Sequence, residues 1–436
     1  MTAQSDDAWT GDPRRWRTVA ILVVAYVFAF LDRQILSLLV EPLKRDLHLS
    51  DTQVSLLQGF VFAVFLVLAG LPIGRAIDRG HRPRIIAAGM TVWSVLTAAC
   101  GFAVNYPSLL IARIGVGAGE AALTPAAHAM IADSFPRQRL GLALGVFGVG
   151  SYVGAGGALI LGSAVLSRLP PGGARLLAGM DPVASWRLIF IAVGAPGIIV
   201  AALISLVADP ARRSRLASPS PSALSAFVRS HGGAMSLVNL AAAFAAMATY
   251  AVNAWTPSFL IRSYHWTAAQ SGLAFGLIII ITGVLGVICG GLIGDWATRR
   301  ISPSGRVLVM AASSLLAVPF AALGPLAGAA WLSLASLALA NLLTTMCLGL
   351  LPAAQQAITP SHLRGSVAAA GFLMVNLIGL GLGPTAIALA TDDIFHDPLK
   401  LRYALATLTP PMLLLAAALA LLASRLYRGV ALSGDR

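Results

Sequence analysis

Apolar stretches of about twenty residues recur along the whole chain, each bounded by a short polar gap. That spacing restricts the fold more than any motif does. A segment of this length crosses a bilayer as one helix, with every backbone hydrogen bond satisfied internally. The spans read as 18–38, 54–76, 85–104, 108–131, 140–166 and 186–207, then 234–256, 267–293, 306–327, 329–354, 365–389 and 402–424. Only 11% of the 436 residues are charged, against about 25% in ordinary soluble domains, and 58% are hydrophobic. The runs lack the polar faces of soluble helices. They also lack the short alternating segments of a porin-like barrel. The expectation is an all-α polytopic membrane protein.

The net charge of +13 does not point to nucleic acid, because the basic residues gather neither on one face nor in a tail. They fall between spans. An even number of crossings puts both ends on one side. That side receives Arg14, Arg15, Arg17, Arg75, Arg79, Arg82, Arg84, Arg137, Arg139, Arg212, Arg213, Arg215, Arg299, Arg300, Arg364, Arg425 and Arg428. The other receives far fewer, among them Lys44, Arg45, Arg168, Arg175, Arg262 and Lys400. Positive charge stays inside, so both termini are expected in the cytoplasm. Short loops and lean termini suit the inner membrane of a prokaryote. The start of the chain shows no cleavable signal pattern. Cys100, Cys289 and Cys347 sit in apolar surroundings with no metal spacing and read as packing residues.

The segment 208–232, rich in Pro, Ser and Arg, divides the chain into 15–207 and 233–428, six spans each, and reads as a cytoplasmic linker. The halves echo each other. "GRAIDRGHRPR" follows the second span and "GDWATRR" the eighth; "DSFPRQRLGLALG" follows the fourth and "TPSHLRGSVAAAG" the tenth. Such duplicated units are the architecture of rocking transporters. The loop with Gly74, Asp78, Arg82 and Arg84 resembles the signature of the major facilitator superfamily, and Gly291, Asp295, Arg299 and Arg300 form a weaker second copy. The similarity covers essentially 15–428. Within the superfamily, "FAFLDRQILSLLVEPLKRDLHLSDTQVSLLQGFVFAVF" and "LIARIGVGAGEAALTPAAHAMIADSFP" look like the Spinster group, whose members are associated with proton-linked movement of lysolipids and sphingosine-1-phosphate. The resemblance implies a twelve-helix major facilitator fold of two pseudo-symmetric six-helix bundles.

Four charges lie where lipid would penalise them. Asp32 and Arg33 stand about 20 Å along the first span, and Arg113 and Glu120 are two turns apart in the fourth. A charge facing lipid costs several kcal/mol, so these groups must face the bundle interior, a wet cavity or a partner. Adjacent helix positions point apart, so Asp32 and Arg33 are poorly placed to pair with each other. The resemblance places spans one and four on the central cavity. The expected roles are Asp32 and Glu120 in proton coupling, and Arg33 and Arg113 in binding an anionic headgroup, for which guanidinium offers a fork of donors. Burial favours a neutral carboxyl and an adjacent arginine a charged one, so a site where these compete can exchange a proton as the cavity opens and closes. The alternative is an inert ion-pair network.

Tyr250 and Asn253, near the outer end of span seven, are further candidate substrate contacts; Pro257 can bend that helix. Trp255, Tyr264 and Trp266 could instead form an interfacial aromatic belt. His128, eight residues past Glu120, could relay a proton or be structural, and Asn376 has no evident partner. Asp78, Arg82, Arg84 and Asp133, with Asp295 and Arg299 in the second half, are the expected gating residues, whose contacts would hold the cytoplasmic side closed. Neither a nucleophile elbow nor a phosphate loop appears, so an enzyme or an ATP-driven pump is not indicated. No cofactor is expected; the proton is the expected coupling ion. The expected cargo is a lysolipid or another amphiphilic organic anion, with a small carboxylate such as a sugar acid as the alternative. The surroundings are membrane lipids, and a monomer is expected.

Overall fold

Among the described residues the apolar runs are realised as twelve helices long and apolar enough to cross a membrane. The computed structural model describes residues 13–170, 183–211, 221–360 and 363–433. The first six helices are α1 (Arg14–Leu38), α2 (Asp51–Arg79), α3 (Arg82–Cys100), α4 (Tyr106–Ser134), α5 (Arg139–Leu166) and α6 (Ser185–Ser205). The second six are α7 (Ser225–Tyr264), α8 (Ala268–Arg300), α9 (Gly305–Leu323), α10 (Ala330–Ala357), α11 (Arg364–Ile394) and α12 (Pro398–Tyr427). The protein is an all-α, multi-pass membrane protein. Helix already starts at Pro221, inside the segment expected as linker; Arg212, Arg213 and Arg215 of that segment, and Arg175, lie outside the described residues.

Local chemistry sets several helix starts. Ser50 with Gln53, Asn105 with Ser108 and Thr267 with Gln270 form reciprocal caps on α2, α4 and α8. Each satisfies amide groups that the first turn leaves without partners. All three lie on the side opposite the termini, here called the far side.

The two halves pack together chiefly in their far-side portions, through α1 with α7, α5 with α8, and α2 with α11. At the α5–α8 crossing Gly156 faces Gly276, where an added Cβ on Gly276 would lie 2.6 Å from the Gly156 carbonyl oxygen. Only glycine permits that approach. On the terminus side the halves part. The lower part of α4 packs against first-half helices, and Pro125 and His128 are exposed, as are Pro352, Ala353 and Gln356 of α10. The molecule is therefore closed on the far side and open on the terminus side.

Candidate functional site

The four intramembrane charges meet as two crossed pairs. Arg33 of α1 reaches α4 and donates through Nε to Glu120 Oε2 at 2.7 Å, with Nη2 at 2.6 Å from the same oxygen. Arg113 of α4 returns toward Asp32 of α1, with Nη1 3.8 Å from Oδ1. Thr97 of α3 donates its hydroxyl to Asp32 Oδ2. Adjacent residues on α1 point apart, so each finds its counter-charge at a different level of α4.

All four are screened from lipid. Asp32, Arg113 and Glu120 are buried and Arg33 nearly so. Phe62 of α2 lies under both arginines, its ring centre 4.8 Å from the Arg33 guanidinium carbon and 5.5 Å from that of Arg113. Such a ring stabilises a desolvated cation through its negative face. Arg113 Nε donates to the Leu57 carbonyl at 3.3 Å. Leu57 lies in a π-helical turn, Leu56–Phe60, where the wider hydrogen-bond register alters which carbonyls find partners within the helix. Hydrogen bonding is nevertheless incomplete. Both terminal nitrogens of Arg113, Asp32 Oδ1 and Glu120 Oε1 are buried without a hydrogen-bond partner in the protein. Structural ion pairs normally saturate these positions.

Arg33 also borders a cavity of about 40 Å³ between the halves. Gln34 and Ser37 of α1, Gln58 of α2, and Tyr250 and Asn253 of α7 share its wall. That volume admits a few water-sized groups. Tyr250 and Asn253 thus come beside Arg33 from the other half. Asp32, Arg113 and Glu120 stand behind it.

Proline places one more contact. Helix α7 runs through Pro257 without a break. Pro257 has no amide hydrogen to give the Asn253 carbonyl, and Gln34 Nε2 donates to that carbonyl at 2.8 Å. The bond crosses the two halves. Trp255 does not join an interfacial belt: it is fully buried and donates its indole N–H to the Pro384 carbonyl at 2.9 Å. Tyr264 donates to the Ala327 carbonyl at 2.7 Å.

The expected gate divides. Arg82 donates to Asp133 at 2.5 Å, to Asp209 at 2.7 Å and to the Pro210 carbonyl at 2.6 Å. Asp133 belongs to the first half and Asp209 and Pro210 to the segment just after it, with none from the second half, so the cluster exists with the terminus side open. Asp78 makes contacts of its own, while Arg84 is exposed. Asp295 pairs with Arg306 at 2.7 Å; Arg299 is exposed. His128 sits edge-on to Phe147 at 5.5 Å, on the open side. Asn376 donates to the Phe372 carbonyl at 2.8 Å.

The ion pairs that join the halves lie elsewhere. Arg262 at the far end of α7 donates to both carboxylate oxygens of Asp51, each at 2.7 Å, and to Glu41 at 2.8 Å. Lys44 also holds Asp51. Thr52 donates its amide and hydroxyl to Asp392, each at 2.7 Å. Sequence reasoning missed this clasp, because loop-end charges look like ordinary solvated residues until their partners are known. It also missed Thr97, Phe62 and Gln58. Gln58, a primary amide within an apolar span, was the one with a signal. Among the described residues no group of three His, Cys, Asp or Glu side chains could hold a metal ion.

The profile of the Major Facilitator Superfamily matches residues 22–384. The chain belongs to this superfamily. It is a transporter rather than an enzyme. It is 29% identical over 435 residues to an MFS-type efflux pump of Mycolicibacterium smegmatis, covering 97% of this chain and 96% of that one. It is 26% identical over 303 residues to a protein of Escherichia coli named "Probable L-galactonate transporter", covering 66% of this chain and 63% of that one. Its fold is similar to the crystal structure of a bacterial homolog to the human lysosomal transporter Spinster, in an inward-facing and occupied conformation. The TM-score is 0.77 and the identity 26%, over 98% of this chain and 99% of the other.

Proposed function

We propose that this protein is a proton-coupled transporter of an amphiphilic organic anion, of the lysophospholipid or sphingosine-1-phosphate kind, working by alternating access in the inner membrane. The carrying observation is the Arg33–Glu120 pair at the wall of a cavity shared by both halves. A fixed cation beside an exchangeable carboxylate provides both functions that coupled anion transport needs. When Glu120 takes a proton, its hold on Arg33 is lost and the guanidinium becomes free for an anionic head. When the anion leaves, Glu120 gives up the proton and takes Arg33 back. Asp32, Thr97 and Arg113 hold a second pair behind the first, and Phe62 supports both cations. Tyr250 and Asn253 complete the wall from the second half. Asp78, Arg82, Arg84, Asp133, Asp295 and Arg299 are assigned to conformational control at the terminus side.

Likeness to a Spinster-type structure supports the lipid reading, as does the exposure of Pro125 and His128 on α4 and of Pro352, Ala353 and Gln356 on α10, on the terminus side. The small cavity and the likeness to the Escherichia coli protein favour a sugar acid or similar small carboxylate as the second reading. Counterflow in proteoliposomes separates them. A labelled lysophospholipid and a labelled hexuronate are offered to wild type and to Glu120→Gln. Lipid exchange that is lost in the variant is the expected result. Exchange of the acid alone overturns the lipid assignment.

A further inference from the structure

The cavity that Arg33 borders carries polar groups that the coupling mechanism leaves unused. Gln58 is 6% exposed, and both its amide oxygen and its amide nitrogen are buried without a partner. Asn253 Oδ1 is buried and unpartnered as well. Both residues line the same cavity as Arg33. An unsatisfied buried amide is destabilising, and native proteins retain few of them. Three such atoms around one small space call for a complement.

The required complement follows from donor and acceptor chemistry. Arg33 has only N–H groups and selects an anionic oxygen. Gln58 presents one acceptor and one amino group whichever way its amide is turned. A hydroxyl, which both donates and accepts, answers it. Asn253 Oδ1 asks for a further donor, a second hydroxyl or an ammonium. The main-chain carbonyl of Asn253 is already engaged by Gln34, so its side-chain amide is what remains to meet a ligand. A bare carboxylate or phosphate on an alkyl chain can accept from the amide NH2 groups but has no donor for the two amide oxygens.

We infer that Gln58 and Asn253 form a subsite that reads a hydroxyl or amino group carried near the anionic head of the substrate, so that the transporter selects hydroxylated anions over their deoxy counterparts. The inference rests on Arg33 as the anion ligand and deepens that reading by naming the substrate's second feature. A site built to hydrogen-bond a substrate hydroxyl discriminates strongly against the analogue without it, because its own polar groups are then left unpaired.

The test is equilibrium binding to the purified full-length protein in nanodiscs. One ligand pair is 1-acyl-glycerol-3-phosphate and 1-acyl-propanediol-3-phosphate, which lacks the free hydroxyl. The other is a hexonate and its 2-deoxy form. Wild type, Gln58→Leu and Arg33→Ala are compared. In whichever pair binds, wild type is expected to prefer the hydroxylated member by at least about tenfold. Gln58→Leu should abolish that preference while binding the deoxy member as wild type does, which also shows that the variant folds. Arg33→Ala should weaken both members alike. Equal binding of both members by wild type, or a preference that survives in Gln58→Leu, overturns the subsite and leaves the anion reading standing. Failure of both pairs to bind wild type overturns the two together.

Discussion

Arg113 has no exposed surface, yet its terminal nitrogens make no hydrogen bond within the protein. Its charge is balanced by Asp32 at 3.8 Å and by the face of Phe62. Removing one member of a buried pair strands the other, at a cost of about 3–5 kcal/mol. Arg113→Ala is therefore expected to lower the melting temperature in detergent markedly, and Arg113→Ala with Asp32→Asn should recover part of the loss. A double variant no more stable than the single one would show that the two charges are not energetically coupled. Arg33→Ala should behave differently. Arg33 borders the cavity, whereas Arg113 is fully buried, so water can take its place beside Glu120 and stability should change less than in Arg113→Ala while anion binding is weakened. These four positions were legible in the sequence, because a charge in an apolar span must have a reason. Which arginine meets which acid was not, since that depends on how α1 and α4 are rotated against each other.

At the scale of elements, far-side closure depends on glycine contacts and on one arginine clasp. Arg262 ties α7 to Asp51 at the start of α2 and to Glu41 of the short helix Val40–Leu47. Arg262→Ala is expected to shift the population toward far-side opening, since the clasp stabilises only the closed arrangement. Spin labels at the far ends of α2 and α11 would report it as a longer distance component, and an unchanged distribution would deny the clasp a gating role. Gly276→Val should act in the same direction by wedging α8 from α5, where the backbones now touch. Its effect should be read as raised labelling of a cysteine introduced at Ser163. Arg82→Ala should leave the far-side distances alone, because the Arg82 cluster with Asp133 and Asp209 includes no residue of the second half. The helices themselves were legible from hydropathy. The clasp was not, because Asp51 and Arg262 are 211 residues apart and each looks unremarkable at its own helix end.

For the whole molecule, the distribution of arginines predicts an orientation that labelling can check. In a background with Cys100, Cys289 and Cys347 replaced by alanine, a cysteine at Gly328 should react with an impermeant maleimide from outside intact cells. One in place of Pro303, which is exposed between α8 and α9, should react only after permeabilisation. The opposite pattern would invert the topology and place the open side outside. The duplicated loops read as two related halves, and the described membrane helices fall as six up to Ser205 and six from Ser225 onward. The amino-acid sequence by itself determined the number of spans, the membrane setting and the burial of Asp32, Arg33, Arg113 and Glu120. Those features follow from local hydropathy and from the cost of charge in lipid. Only the tertiary structure decided the crossed pairing, the Arg262 clasp and the meeting of Gln58 with Asn253. Each of these joins residues far apart in the chain, and helix rotation and the packing of one half against the other determine which side chains share a space.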